Sequence, residues 1–261
     1  MRILVTFALE GEFTPWRKIR EFRRARWSAG DVYAAEIGGA EIGVVLTGVG
    51  SKQAALAGSR ALDAEQDSLQ FCISSGLAGA LRPGYKVGQV LAARSVSAGL
   101  PCSATERVLE TSAPLISFAA ELGATPVGRF FTAEHVVLRA EEKRWLGRAA
   151  DAVDMESFEI LRKCVERGVP GVAIRAVSDE ADEELPLDLN RIFDDRGHVS
   201  LPRVMGQVVL HPGSLPGLVD LGQRSRRAAE SLTSFLDRYV TLVTERARNL
   251  ETQVTVASGH E

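Results

Sequence analysis

The chain of 261 residues has only three cysteines, Cys72, Cys102 and Cys164. Odd in number and far apart, they argue against a disulfide framework and suit the reduced thiols of a cytoplasmic protein. No stretch approaches the ~20 uninterrupted apolar residues of a membrane span, and Met1-Arg2 leads into a strand-like run rather than a signal peptide. The expectation is a cytoplasmic protein with no membrane span. A charge excess is also missing: 31 basic and 34 acidic side chains leave a net charge of −3. That field is too weak to hold a polyanion, so nucleic acid is not an expected partner.

Several chemical signatures are absent as well. Gly48-Val49-Gly50 is followed by Ser51-Lys52-Gln53, without the third glycine of a dinucleotide-binding turn. There is no Walker A string and no Gly-x-Ser-x-Gly nucleophile elbow. The four histidines, His135, His198, His211 and His260, lack metal-ligand spacing, so neither a metal nor a cofactor is expected.

What is present is the balance of a globular protein, with 45% apolar and 25% charged residues. Ile3 to Ala8 is a continuous apolar run of the kind buried on both faces of a parallel sheet. Val32 to Ile37 and Ile42 to Thr47 flank Gly38-Gly39, a pair suited to a tight hairpin. A helix follows with Ser51 as its N-cap. Strands over Leu69–Ser74, Val87–Ala93 and Val127–Thr132 alternate with a helix over Leu115–Leu122. A helix over 154–166 then ends at Gly168-Val169-Pro170, ahead of the strand Val172–Val177. This interleaving predicts a single α/β domain over residues 1–249, with a central mixed, largely parallel sheet flanked by helices. Its last helix covers about Gly222–Asn249, and residues 250–261 are expected to be a disordered tail.

Three carboxylates fall at strand ends or helix starts: Glu12, Glu156 and Asp179. In open α/β sheets, ligands bind at that edge. Arg175 interrupts the apolar strand four residues before Asp179, and a buried cation needs a partner or a ligand. Taken singly, each carboxylate fits an ordinary capping or solvated role.

Together they carry a resemblance. The segments ILVTFALEGEF (3–13), TGVGSKQAA (47–55), SGLAGALRPGYKVG (75–88), VDME (153–156) and IRAVSDEAD (174–182) resemble, in order, the purine nucleoside phosphorylase and nucleosidase superfamily, especially the methylthioadenosine/S-adenosylhomocysteine nucleosidases. The resemblance covers roughly residues 1–185. It implies that Asp179 protonates or hydrogen-bonds the purine at N7, with Ser178 placing its carboxyl. It implies that Glu156 binds the ribose hydroxyls over Met155, and that Glu12 activates water beside Arg175. Gly76-Leu77-Ala78-Gly79 matches the turn near the sugar and nucleophile. Leu9 stands where the family has methionine, and Val136 and Val137 would wall the base pocket.

Cleaving an N-glycosidic bond builds positive charge on the sugar and negative charge on the base, so a carboxylate at one and a proton donor at the other are complementary needs. Burial would keep Asp179 protonated, whereas Glu12 must stay ionised. A carboxylate at Glu12 would repel phosphate, and Phe71 to Ser75 offers no arginine before the glycine turn. The expected reaction is therefore hydrolysis of an adenine nucleoside. The alternatives are a phosphorylase, with phosphate as co-substrate, or a non-catalytic nucleoside-binding protein. The stretch after Asp188, including Phe193-Asp194-Asp195-Arg196-Gly197 and His211-Pro212-Gly213, resembles hopanoid-associated phosphorylases. The resemblance also implies a homodimer or larger homo-oligomer.

Two further features read as ordinary surface. The basic run from Arg17 to Arg26 is expected to be a solvated helix face. Asp179 to Glu184 lacks the spaced loop of a calcium site.

Overall fold

The computed structural model describes residues 1–27, 30–65, 68–186, 189–191, 194, 197–198, 200, 213 and 215–258. Its sheet begins with β1 (Arg2–Phe7), buried at all but its first position, as an apolar run in a sheet interior requires. The chain continues through α1 (Glu10–Ile19), β2 (Arg23–Trp27), β3 (Gly30–Ile37), β4 (Ala40–Leu46) and α2 (Ser51–Glu65). Gly38 and Gly39 close the β3–β4 hairpin at φ +61° and +81°, a conformation that favours glycine. The basic run expected as one helix face divides instead. Arg17 and Lys18 end α1, and Arg23, Arg24 and Arg26 lie on β2, the edge strand paired with β3. Ser51 does not cap α2: it is the first helical residue, and its hydroxyl donates to the Met155 carbonyl at 3.3 Å.

Next come β5 (Leu69–Ala80), β6 (Val90–Ala98), β7 (Arg107–Glu110), α3 (Ala113–Glu121), β8 (Thr125–Thr132), α4 (Ala140–Leu146), β9 (Ala152–Asp154), α5 (Ser157–Arg167) and β10 (Gly171–Asp179). A single helical turn over Leu189–Arg191 precedes α6 (Leu215–Ser258). That helix continues into the stretch expected as a tail, whose residues 259–261 lie outside those described. So do most of Phe193–Gly197 and His211–Gly213.

The order β4-β1-β5-β10 is parallel, with antiparallel β2 and β3 at one edge. β5 then serves two neighbourhoods. Its body pairs with β1 and β10, while Gly79 and Ala80 pair with β9. Because β9 pairs with β8, β8 with β6 and β6 with β10, five strands close into a ring.

Helices cover both faces. On one, α6 buries Leu232, Phe235, Leu236, Tyr239 and Val240 in a cluster with Ile3, Val5, Ile73 and Ile174. Each such side chain contributes roughly 1.5–3 kcal/mol of burial free energy. On the other, Phe158, Leu161 and Cys164 of α5 pack with Ala54 and Leu62 of α2 and with Leu4 and Cys72 of the sheet. The result is a single α/β domain with helices on both faces of a mixed sheet. The free thiols of Cys72 and Cys164 are buried in contact with each other. Among the described residues, no helix is long and apolar enough to cross a membrane, and no group of three or more His, Cys, Asp or Glu side chains could hold a metal.

Candidate active site

The C-terminal ends of β1, β5 and β10 meet the start of α5 around a cavity of about 210 Å³. Leu9, Glu12, Ala78, Gly79, Val136, Val137, Met155, Glu156, Ser178 and Asp179 all line it. Of the residues given a catalytic or substrate-binding role from the sequence, Arg175 alone does not. It is 1% exposed in mid-β10, with Nη2 3.2 Å from Ser74 Oγ and 3.2 Å from Asp154 Oδ2. The approach to Asp154 is an ion pair by distance without hydrogen-bond alignment, and Arg175 Nε has no hydrogen-bond partner. Glu156 Oε2 lies 4.0 Å from the same guanidinium. The buried cation therefore sits behind the cavity wall, facing two carboxylates.

Glu12 lies in the first turn of α1, where a carboxylate complements the free amides of a helix start. Its Oε2 accepts from the backbone N–H of Ala8 and of Leu9, both at 3.0 Å, and its Oε1 accepts from Leu77 N–H at 3.0 Å. Burial raises its pKa above the ordinary glutamate value, against the lowering effect of the amides and of Arg175. Glu156 falls between β9 and α5, and its Oε1 accepts from Gly50 N–H at 2.8 Å. Burial, then the neighbouring Asp154, pushes its pKa up to about 8, with Arg175 and the Gly50 amide opposing.

Asp179 ends β10 at 6% exposure. The Ser178 hydroxyl lies 2.6 Å from its Oδ1 and 3.2 Å from the Ala78 carbonyl oxygen. Its Oδ2 accepts from the ammonium of Lys143.

Two glycines of β5 make room for these carboxylates. A Cβ on Gly76, whose φ is +141°, would stand 3.0 Å from Glu12 Oε1. One on Gly79 would stand 2.9 Å from Asp179 Oδ2. The Gly-x-x-Gly spacing of Gly76-Leu77-Ala78-Gly79 thus serves two acidic groups at once.

Several residues escaped the sequence reading. Lys143 sits in Glu141-Glu142-Lys143-Arg144, which reads as a solvated helix face. Asp154 was visible only as part of the VDME segment, and nothing local marked its approach to Arg175. Leu185, Leu189, Leu221 and Ser225 also line the cavity, the last two from α6. Leu221 and Ser225 carry no local signal, since only the packing of α6 across the sheet brings them near. A larger cavity of about 940 Å³, between α1 and α6, shares Leu9, Glu12, Leu77 and Ser225 with the first. His135 lines the site, but its Nε2 lies 3.0 Å from Glu142 Oε1.

Comparison with known proteins gives the same fold. The family model described as the phosphorylase superfamily matches residues 2–206. A 5′-methylthioadenosine/S-adenosylhomocysteine nucleosidase of Geobacillus thermodenitrificans is 25% identical over 233 residues, covering 80% of this chain and 97% of the relative. The Helicobacter pylori 5′-methylthioadenosine/S-adenosylhomocysteine nucleosidase, solved with butyl-thio-DADMe-Immucillin-A, superimposes with a TM-score of 0.70 at 21% identity over 92% of this chain and 97% of that one. A futalosine hydrolase of the same organism gives 0.69 at 20% identity, with the same coverage. At those identities the solved structures speak to the fold alone.

Proposed function

Since the chain belongs to the phosphorylase superfamily, we propose that it is a purine nucleosidase, hydrolysing the N-glycosidic bond of an adenine nucleoside such as methylthioadenosine or S-adenosylhomocysteine. The curated relative of that activity, matched along 97% of its length, supports the reading. The observation that carries it is the cradle around Glu12. Three backbone amides that would serve an incoming anion are already taken by this chain's own carboxylate. Among the described residues lining the 210 Å³ cavity there is no lysine or arginine. Phosphate, which needs cationic or backbone donors, finds these three amides occupied and no lysine or arginine in that lining. Water does not need them.

In this reading Asp179 gives a proton to purine N7 as the glycosidic electron pair moves onto the base. Glu156, over Met155, accepts from the ribose hydroxyls, and the positive charge growing on the sugar favours its ionised form. Glu12 orients a water and takes its proton. A raised pKa suits that task better than an ordinary one, because a stronger base lies nearer to working pH. Arg175 acts from behind the wall, balancing Glu156 and Asp154. Apolar Leu9, Val136 and Val137 form the flanks for base and sugar. No cofactor enters the scheme. A homodimer or larger homo-oligomer in the cytoplasm completes the proposal.

The resemblance of the stretch after Asp188 to hopanoid-associated phosphorylases makes phosphorolysis the alternative outcome. The test is base release from methylthioadenosine, adenosylhomocysteine, adenosine and inosine, each with and without phosphate, in the wild type and in Asp179→Asn. Phosphate-independent adenine release that collapses in the variant is the expected result. Strict phosphate dependence would overturn hydrolysis, and binding without release would leave a nucleoside-binding protein.

A further inference from the structure

Lys143 is completely buried on α4, and its ammonium has three acceptors: Asp179 Oδ2, the Glu180 carbonyl at 2.9 Å and the Glu183 carbonyl at 2.9 Å. Those acceptors match the three hydrogens of an ammonium group. Burying such a charge costs several kcal/mol before pairing, and an apolar side chain of similar length would fill the volume without that cost. The charge therefore invites an account beyond packing. Lys143 does not line the cavity, whereas Asp179 does. Both oxygens of Asp179 are held by this chain, Oδ2 by Lys143 and Oδ1 by Ser178. The carboxyl is thus fixed in orientation at the cavity edge.

We propose that Lys143 is a positioning residue for the leaving base: it aims Asp179 and carries the charge that offsets the carboxylate left when Asp179 gives up its proton. The inference rests on the nucleosidase reading. The proton passes from the Asp179 carboxyl to purine N7, the glycosidic electron pair stays with the base, and the base departs neutral. Asp179 is left as an anion touching an ammonium already in place, and it regains its proton from solvent after the base has left. Asp179 enters the step carrying its proton and negative charge grows on it during bond breaking, so the ammonium favours the transition state over the ground state. Among the described residues, Lys143 is the cation in salt-bridge contact with Asp179. The same side chain ties the Glu180–Glu183 turn to α4, so a purely structural role must be separated by experiment.

The separation uses two substrates with the same 5′ group: methylthioadenosine, whose adenine needs a proton to leave, and the corresponding 4-nitrophenyl riboside, whose phenolate leaves without one. Lys143→Met is expected to lower kcat for adenine release about 100-fold, the lower range of general-acid effects. KM should stay within about threefold, and nitrophenol release should change by no more than about threefold. In Asp179→Asn, adding Lys143→Met should cause no further loss of adenine release. Should Lys143→Met fail to fold, judged by its thermal transition, Lys143→Gln, which keeps a donor without the charge, enters the same comparison. Equal losses on both substrates, or adenine release left intact, would overturn the inference while the nucleosidase reading stands. A wild type that releases neither product would overturn both.

Discussion

Replacing Glu156 by glutamine changes the pH dependence of folding by an amount the site defines. With a folded pKa of about 8 against the ordinary 4.5, Glu156 must keep its proton, or suffer burial of its charge, whenever the chain folds above the unfolded value. A raised carboxylate pKa means stability that is fully present below about pH 4.5 and is lost as pH rises towards 8. The linkage relation gives a cost of roughly 1 kcal/mol at pH 5 and roughly 4 kcal/mol at pH 7.5, so about 3 kcal/mol is lost between them. The glutamine side chain has nothing to titrate, and its carbonyl oxygen can still accept from Gly50 N–H. The variant should therefore gain on the wild type as pH rises, with a difference in melting temperature that widens by roughly 6–12 °C from pH 5 to 7.5. The assay is thermal denaturation of the ligand-free protein across that range. Parallel curves for the two proteins would refute both the burial argument and the assignment of the shift to Glu156.

Glu12→Gln puts an amide nitrogen against at least one backbone N–H that the carboxylate now accepts, so it should cost about 1–3 kcal/mol in urea denaturation and lower kcat for adenine release by about 100-fold or more. Unchanged turnover would remove Glu12 from the reaction. Gly79→Ala places a methyl 2.9 Å from Asp179 Oδ2, and steady-state kinetics should show kcat falling more than stability does. Tyr239→Phe removes a hydroxyl that donates to the Leu115 carbonyl at 2.8 Å in the α6 core, costing about 1 kcal/mol in chemical denaturation while leaving turnover unchanged.

The parts of this molecule legible in its sequence are those where one local pattern dictates one outcome. Ile3 to Phe7 could only be buried, Gly38-Gly39 could only turn, and the Gly76–Gly79 spacing leaves space that side chains would fill. Glu12, Glu156 and Asp179 stood out only together, because each alone fits a capping or solvated role and it is their combination with the surrounding segments that matches the family's pattern. What stayed hidden depends on contacts distant in sequence. The closure of five strands into a ring follows from β5 dividing its partners between β10 and β9, which no window of sequence shows. Lys143 looks like any cation on a charged helix, and only the fold reveals that α4 turns it inward onto Asp179. The basic stretch from Arg17 to Arg26 misled in the opposite sense. Its periodicity spans a helix end and an edge strand, because Phe22 leaves the helix to pack edge-on against Phe13 and Trp16.

The most direct test of the account is the fate of the sugar. Methylthioadenosine is turned over in phosphate buffer, and the products are followed by phosphorus NMR together with a reducing-sugar assay. With Glu12 occupying the amide cradle, free methylthioribose should appear in step with adenine while the phosphate signal stays unchanged. Accumulation of a ribose 1-phosphate ester would contradict it.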